Sequence, residues 1–249
     1  MQGRRIPPSL LRALGIGVSC AIALAGVLPV WAATGADTTA AAAQEAQPKR
    51  ADFQQERASA EARYVADWVV DSADNAGMPF VIVDKVSARV FVFEAAGLLR
   101  GASSVLVGMT RGDAAVPGIG SRKLSTIRPE ERTTPAGRFV AALDRSLAGE
   151  EILWVDYDSG VALHRVIVTH AKERRLQRLE SAKATEHRIT YGCINVPVKF
   201  YETVVSPAFT GTSGIVYVLP DTRPVREVFG SYDVHARWAA PAGQRAAVR

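Results

Sequence analysis

The distribution of apolar and polar residues between positions 79 and 219 predicts a series of short β-strands. Valine, isoleucine and phenylalanine are grouped in short runs, and Gly, Pro, Asp or Ser bounds each run. The expected strands cover residues 79–84, 89–94, 103–108, 137–143, 152–157, 161–164 and 214–219. Consecutive short strands joined by tight turns are typical of an antiparallel meander. We therefore expect a β-rich domain at about residues 76–222.

The segment before the first strand has the periodicity of a helix instead. Over residues 51–75, apolar residues recur at three- and four-residue steps among charges, which predicts one amphipathic helix. A second, short and charged helix is expected at about residues 172–181. Residues 109–137 hold several Gly and Pro and are predicted to form a long ordered loop. Ordered loops of this length usually have a functional role. The C-terminal tail, residues 223–249, is expected to be partly loose.

The first 32 residues have the pattern of a secretory signal peptide. Three arginines precede an apolar run that ends at Val30-Trp31-Ala32, with residues suited to cleavage after Ala32. An uncleaved membrane anchor is the alternative, although the run is close to the lower length limit for a span. Residues 33–50, rich in Ala, Thr and Gln, are predicted to be a linker. The protein is therefore expected to be exported to the periplasm or cell envelope.

Removal of this signal changes the charge balance. The full chain has 30 basic and 25 acidic residues, but the signal carries three of the arginines and no acid. The mature chain would hold 27 basic against 25 acidic residues, a net charge of +2. A near-neutral, mixed surface does not indicate a nucleic acid partner. The four histidines show no metal-ligand spacing with the cysteine, so neither a metal nor another cofactor is expected.

Cys193 would be the only cysteine of the mature chain, because Cys20 lies in the signal. A lone thiol is a buried small hydrophobe, an intermolecular link or a nucleophile. The preceding Gly192 permits unusual backbone angles and close approach of a substrate carbonyl. A helix is expected to begin just after Cys193, with Asn195 as its N-cap, which would favour a thiolate. Exposed backbone N–H groups at this turn could receive an oxyanion.

A thiol nucleophile also needs a base, and four histidines are available. His164 follows an alternating strand and could project from its end into a site. His170, His187 and His235 lack that setting. Spacing along the chain cannot choose among them, because catalytic groups are assembled in space.

The segment Thr190-Tyr191-Gly192-Cys193-Ile194-Asn195 resembles the signature of the L,D-transpeptidase catalytic domain family (YkuD type). That signature is a histidine, a spacer, then Ser/Thr-His-Gly-Cys, an apolar residue, and Asn or Arg; five of the last six places fit. A second family feature, Thr-Pro-x-Gly-x-Phe, appears as Thr134-Pro135-Ala136-Gly137-Arg138-Phe139. With the paired strands at 79–108, the resemblance covers about residues 79–220.

The resemblance implies a mostly β fold, a YkuD-like antiparallel β-sandwich or barrel with a few short helices, to which the pattern adds the N-terminal helix. It implies Cys193 as nucleophile and His164 as base, with Gly192 and the Cys193 backbone at the oxyanion site. The other residues expected to bind the oxyanion or the substrate are Tyr191, Thr190, Asn195 and Arg165.

Three features depart from the family pattern. Tyr191 replaces the inner histidine of the motif, and Arg165 stands where Gly or Ser usually follows the base. The spacer from His164 to Thr190 is also longer than usual, and the extra residues are expected to form an insertion over the cleft. His170 would restore the spacing, but we prefer His164 because a base must sit on a rigid element.

The function that the resemblance implies is acyl transfer on peptidoglycan stem peptides through a thioester on Cys193. Water as acceptor would make the protein a carboxypeptidase. A non-catalytic wall-binding protein that keeps the fold is the alternative from another class. Cysteine hydrolases with the histidine after the cysteine, and sortases, fit the motifs poorly. Basic side chains that could anchor stem-peptide carboxylates are Arg132, Arg138, Arg165 and Arg188.

Overall fold

Ten strands lie within the residues that the computed structural model describes, which are 47–241 and 244–245. They are β1 (Phe80–Asp84), β2 (Arg89–Phe93), β3 (Leu99–Ser104), β4 (Val107–Gly108), β5 (Gly137–Arg145), β6 (Glu151–Asp156), β7 (Val161–Arg165), β8 (Arg188–Thr190), β9 (Ile194–Val196) and β10 (Gly214–Val218). Eight of them form one sheet in the order β3-β2-β1-β10-β5-β6-β7-β9, while β4 pairs with β8. The expected mostly β fold is confirmed.

The large sheet is mixed, which the meander did not indicate. β1 pairs with β10 in parallel and β7 pairs with β9 in parallel, whereas the other neighbours are antiparallel. Each parallel partner comes from a distant part of the chain. The strands β4, β8 and β9 have two or three residues each, too few to show an alternating pattern. These short strands nevertheless bring the cysteine segment beside β7.

Both faces of the central strands are buried, because a separate layer covers each face. Alternate residues of β1 and β10 contribute to two apolar clusters, so that both strands are apolar almost throughout. One face packs on a continuous helical segment made of α3 (Val198–Phe200), a π-turn (Tyr201–Val205) and α4 (Ser206–Phe209). The opposite face packs on α1 (Ala60–Ser72) and on the C-terminal tail.

Helix α1 is shorter than the expected span of 51–75. It begins where the Ser59 hydroxyl accepts a hydrogen bond from the Ala62 N–H, and it ends at Ala73, whose backbone is left-handed. Phe53 lies before the helix but is buried, with its ring 5.3 Å from Phe91 and 5.0 Å from Phe93. The apolar periodicity over 51–75 therefore comes from two elements, an extended segment and a helix, which pack on the same face of the sheet.

The described part of the tail, a segment expected to be partly loose, is folded. It contains α5 (Val225–Phe229) and α6 (Val234–Ala239). Asp71 of α1 accepts hydrogen bonds from the Tyr232 hydroxyl at 2.7 Å and from the Trp238 indole N–H at 2.9 Å. Because one carboxylate satisfies a buried tyrosine and a partly buried tryptophan, the tail is held against α1.

The expected signal peptide at 1–32 and most of the linker at 33–50 lie outside the described residues. Among the residues that are described, no helix combines the length and apolar character needed to cross a membrane.

A buried ammonium group joins three separate parts of the domain. Lys85 follows β1, and its Nζ donates to Gly112 O at 2.6 Å, to Thr134 O at 2.8 Å and to Asp113 Oδ1 at 3.2 Å. Asp221, which follows β10, lies 3.4 Å away, and the Lys85 and Asp221 side chains are fully buried. Burial lowers the pKa of Lys85, and the two aspartates oppose that effect. Both ends of the long loop are thus fixed to the sheet.

We predict that Lys85→Met lowers the free energy of unfolding by about 3–5 kcal/mol, because it leaves the Asp113 carboxylate without a counter-charge and Asp221 with Arg188 alone. Urea denaturation would measure the change. Lys123→Met is the matched control, because Lys123 is exposed, and it should change stability by less than about 0.5 kcal/mol. A loss below about 1 kcal/mol in Lys85→Met, the range of exposed ion pairs, would contradict the prediction.

Candidate active site

The turn that carries Cys193 depends on Gly192. Its φ is +136°, a conformation that L side chains rarely adopt, and an added Cβ would lie 3.0 Å from Thr133 O. The Thr134 hydroxyl donates to Gly192 O at 2.7 Å. The Thr190 hydroxyl donates to Cys193 O at 2.6 Å and accepts from Gly192 N–H at 3.2 Å. The two expected motifs therefore meet here, and the Gly192 N–H is engaged within the turn.

Cys193 opens into a cleft of about 480 Å³ on one face of the sheet. The thiol is 3.7 Å from Gly160 O, in the turn between β6 and β7. Trp154 pairs with Ala162 across β6 and β7, so both side chains lie on the face that carries His164. The remaining lining residues, mostly apolar or acidic, are Ser146, Leu147, Ala148, Glu150, Glu151, Ile152, Arg165 and Ile167.

His164 lines the same cleft. It lies on β7 directly opposite Asn195 of β9, and Cys193 precedes β9 by one residue. Nδ1 of His164 is 2.7 Å from Arg165 O, so the carbonyl holds the proton on Nδ1. Nε2 is then an acceptor, and Asn195 Nδ2 donates to it at 3.0 Å. The strand pairing thus places the imidazole and the thiol on neighbouring strands.

Asn195 is not the helix N-cap that the sequence predicted. It is a buried strand residue, and the helix begins later, at Val198 after Pro197. The short apolar segment after Cys193 completes the sheet by pairing with β7, and this tertiary contact outweighs its capping pattern. Cys193 therefore does not adjoin a helix terminus, and that argument for a thiolate fails.

The electrostatic environment favours the neutral forms of both groups. Burial raises the pKa of the Cys193 thiol, opposed by the Ala162 backbone and by the charge of Arg175. Burial lowers the pKa of His164; the charge of Arg175 lowers it further, while the Arg165 carbonyl and Glu150 oppose. A neutral thiol beside a neutral imidazole is thus the favoured resting state.

Tyr191, the residue that replaces the inner histidine, packs on the long loop. The guanidinium carbon of Arg132 lies 3.8 Å from the centre of its ring. Arg132 also donates to Ile127 O at 3.1 Å. The loop approaches the site a second time at Gly120, where an added Cβ would lie 2.5 Å from Asp158 O. The loop therefore supports both turns that flank Cys193.

The other basic candidates are bound within the fold. Arg165 lies 3.2 Å from Glu202 and stacks over Tyr201, although its side chain also lines the cleft. Arg138 pairs with Asp74 at 2.6 Å, and Arg188 pairs with Asp221 at 2.5 Å. Neither Arg138 nor Arg188 lines the cleft.

The three remaining histidines lie away from the thiol. His170 is exposed, and so is His235 in the tail. His187 is buried, with its ring nitrogens 3.0 Å from Val105 O and from Ser181 O. Among the described residues, no group of three or more His, Cys, Asp or Glu side chains is arranged to hold a metal ion.

Sequence reasoning missed three contributors to the site. Trp154 and Gly160 carry no local signal, because their position depends on the pairing of β6 with β7. Arg175 lies on α2 (Arg175–Glu180), within the insertion between β7 and β8. Only Ile167 of that insertion lines the cleft, so the insertion lies beside the cleft rather than over it.

We predict that Gly192→Ala lowers the free energy of unfolding by roughly 1–3 kcal/mol, the usual cost of a strained backbone conformation. It should also speed alkylation of Cys193 by iodoacetamide, because the shifted turn uncovers the sulfur. Urea denaturation and peptide mass mapping would measure the two effects. Gly211→Ala is the control: its φ is +76° but the space is open, so only a loss of about 1 kcal/mol is expected. Unchanged alkylation in Gly192→Ala would contradict the prediction.

Comparison with known proteins finds similarity in solved structures only. No family model and no curated protein matches the chain. An L,D-transpeptidase from Mycobacterium tuberculosis H37Rv is 15% identical, with a TM-score of 0.36, over 57% of either chain. The catalytic domain of the E. faecium L,D-transpeptidase is 18% identical, with a TM-score of 0.32, over 57% of this chain and 96% of that one. The cell shape determining protein Pgp2 of Campylobacter jejuni is 15% identical, with a TM-score of 0.38, over 59% and 48%.

The chain spans about half the length of these structures, apart from the isolated E. faecium domain. Because the TM-scores are below 0.5, the functional argument rests on the site itself. Several of the solved structures to which this chain is similar are those of L,D-transpeptidases.

Proposed function

We propose that the protein is a cysteine acyltransferase that performs L,D-transpeptidation on peptidoglycan stem peptides. The observation that carries the proposal is the single cleft shared by Cys193 and His164, which neighbouring strands supply. The motif resemblance at 134–139 and 190–195 supports the substrate class, and both motifs adjoin the cysteine turn.

In the first step His164 accepts the Cys193 proton on Nε2, since Nδ1 already carries a proton. The sulfur attacks the carbonyl carbon of an L-centre, and the bond to the terminal D-residue breaks. The leaving amine takes the proton from His164, and a thioester remains on Cys193. Because the Gly192 N–H is used by Thr190, the Cys193 N–H is the proposed oxyanion donor at this turn.

In the second step an amine from a neighbouring stem peptide attacks the thioester. Its proton passes to His164, and the departing sulfur takes a proton back, so the free thiol is restored. Water as acceptor would release a carboxylate instead, and the protein would then act as an L,D-carboxypeptidase. We propose export to the periplasm or cell envelope, where this substrate is found, in agreement with the signal pattern at 1–32.

A non-catalytic wall-binding protein is the second candidate. The observation in its favour is that both reactive groups have other partners, since the thiol faces Gly160 O and His164 Nε2 accepts from Asn195. Catalytic hydrogen bonds often form only when substrate binds, so this arrangement is compatible with the enzyme as well.

The deciding experiment is acylation by a carbapenem, the β-lactam class that acylates the thiolates of the resembled family. We predict one covalent adduct in the intact mass of the purified protein and none in Cys193→Ala. If neither the adduct nor any stem-peptide product is detected with folded protein, the enzyme proposal fails and the wall-binding alternative remains.

The choice of base has its own test. His164→Ala should slow acylation about 10²–10⁴-fold, the usual contribution of a general base. His170→Ala is the matched control and should change the rate less than about twofold, because His170 is exposed away from the cleft. The reverse order of effects would assign the base to His170.

The pH profile provides a further prediction. The base must be neutral to accept a proton, and burial lowers the pKa of His164 from its ordinary value of about 6.5. The acylation rate should therefore persist below pH 6.5 and decline only in more acidic solution. Stopped-flow measurement of carbapenem consumption would show the decline, and a midpoint above about 7 would contradict a neutral buried base.

A further inference from the structure

The insertion between β7 and β8 reaches the proposed base through one arginine. Arg175 begins α2, and its side chain is only 12% exposed. Its Nε donates to Glu173 Oε2 at 2.6 Å, and its Nη1 donates to Asn195 Oδ1 at 2.7 Å. Asn195 is itself buried, so this contact is removed from solvent.

The contact decides which end of the Asn195 amide faces His164. Since Oδ1 accepts from Arg175, Nδ2 points to His164 Nε2 at 3.0 Å. An amide N–H can only donate, and Nε2 accepts only while it has no proton. The carbonyl of Arg165 holds the other proton on Nδ1. Hydrogen-bond donation therefore runs in one direction from Arg175 through Asn195 to the imidazole, while Arg175 also donates to Glu173.

We propose that Arg175 is a positioning residue: it fixes the Asn195 amide so that His164 rests as the neutral Nδ1–H tautomer, ready to accept the Cys193 proton. The inference rests on the proposed role of His164 as base. Arg175 touches neither the thiol nor the imidazole and acts through Asn195.

The arrangement also determines what must move during the reaction. When Nε2 of His164 takes the thiol proton, it becomes a donor itself. It then faces the Asn195 Nδ2–H from which it accepted before, and the two donors repel each other. Asn195 must then rotate or withdraw, against its hydrogen bond to Arg175. Arg175 thus disfavours a resting thiolate–imidazolium pair and shortens the life of the imidazolium once it forms.

The charged groups around His164 agree with this assignment. Arg175 is the cation whose charge lowers the pKa of His164, and Glu150 of the neighbouring hairpin is the anion that raises it. Glu151 and Arg165 also line the cleft, but Arg165 is engaged with Glu202. Cys193 adds no charge while its thiol is protonated.

The test is the titration of His164 in the full chain, followed by ring-nitrogen NMR, with its resonance identified by its loss in His164→Ala. In the wild type we expect the Nδ1–H tautomer and a midpoint below the ordinary histidine value. In Arg175→Met the midpoint should rise, because the amide is free to turn Oδ1 towards a protonated Nε2. The acid limb of carbapenem acylation should move to higher pH by the same amount.

Arg174→Met is the matched control, since Arg174 is the exposed neighbour and makes no side-chain hydrogen bond among those of the described residues. It removes the same charge and should leave the midpoint in place. Equal midpoints in the two variants would overturn the proposal. If Arg175→Met does not fold, Asn195→Asp provides the second test: an acceptor then faces Nε2, and an unchanged midpoint would also overturn the proposal.

The two proposals fail separately. The NMR titration needs no activity, so it reports on Arg175 even if no acylation occurs. Suppose that acylation is lost in Cys193→Ala and that His164 titrates identically in Arg175→Met and Arg174→Met. The enzyme proposal would then stand, and only the proposed role of Arg175 would fail.

Discussion

The ammonium group of Lys85 connects the sheet to the cysteine turn. It is the counter-charge of Asp113 and shares Asp221 with Arg188, so an uncharged residue at position 85 would leave the Asp113 carboxylate unpaired. It also donates to the carbonyl of Thr134, whose hydroxyl donates to Gly192 O. A residue at the end of the first strand is thereby linked, in two contacts, to the residue before the proposed nucleophile. The Thr-Pro motif and the Gly-Cys motif lie far apart in the chain; the Thr134 hydroxyl joins them, and the buried charge of Lys85 holds the Thr134 backbone in place.

The site is built from backbone geometry more than from charged side chains. Three carbonyl groups orient it: Gly160 O faces the thiol, Arg165 O holds a proton on His164, and Thr133 O leaves little room for a side chain at Gly192. Such groups carry no signature in the sequence, because every residue has a carbonyl. The contact with His164 uses only the backbone carbonyl of residue 165, which any residue type supplies. An arginine is therefore tolerated where Gly or Ser usually follows the base in the family that the sequence resembles. The Arg165 backbone supports the imidazole, while its guanidinium binds elsewhere in the fold.

Sequence patterns predicted most of the antiparallel strands, because these are alternating or apolar runs of five or more residues. The third expected strand, 103–108, was wrong: β3 covers Leu99–Ser104, whose residues are mostly small or polar, and β4 covers only Val107–Gly108. The sequence patterns also misplaced the segment after Cys193. Asn195 and Pro197 have the chemistry of a helix start, yet residues 194–196 form a strand because β7 offers an unpaired edge. The capping pattern correctly predicted a helix after Cys193, but that helix begins at Val198, a few residues later than expected. Nor did the sequence indicate how the described part of the tail is held, since Tyr232 and Trp238 find their acceptor on α1, about 160 residues earlier.

The sequence by itself determined the β-rich class of the domain, the single cysteine among residues 33–249, and the two short motifs, since these depend on residue type and local spacing. Only the tertiary structure decided which histidine shares a cleft with Cys193, how the Asn195 amide is oriented, and that the inserted Arg175 donates to this amide. Those properties depend on which distant strands pair and in which register. A shift of β9 by one residue against β7 would turn Asn195 away from His164.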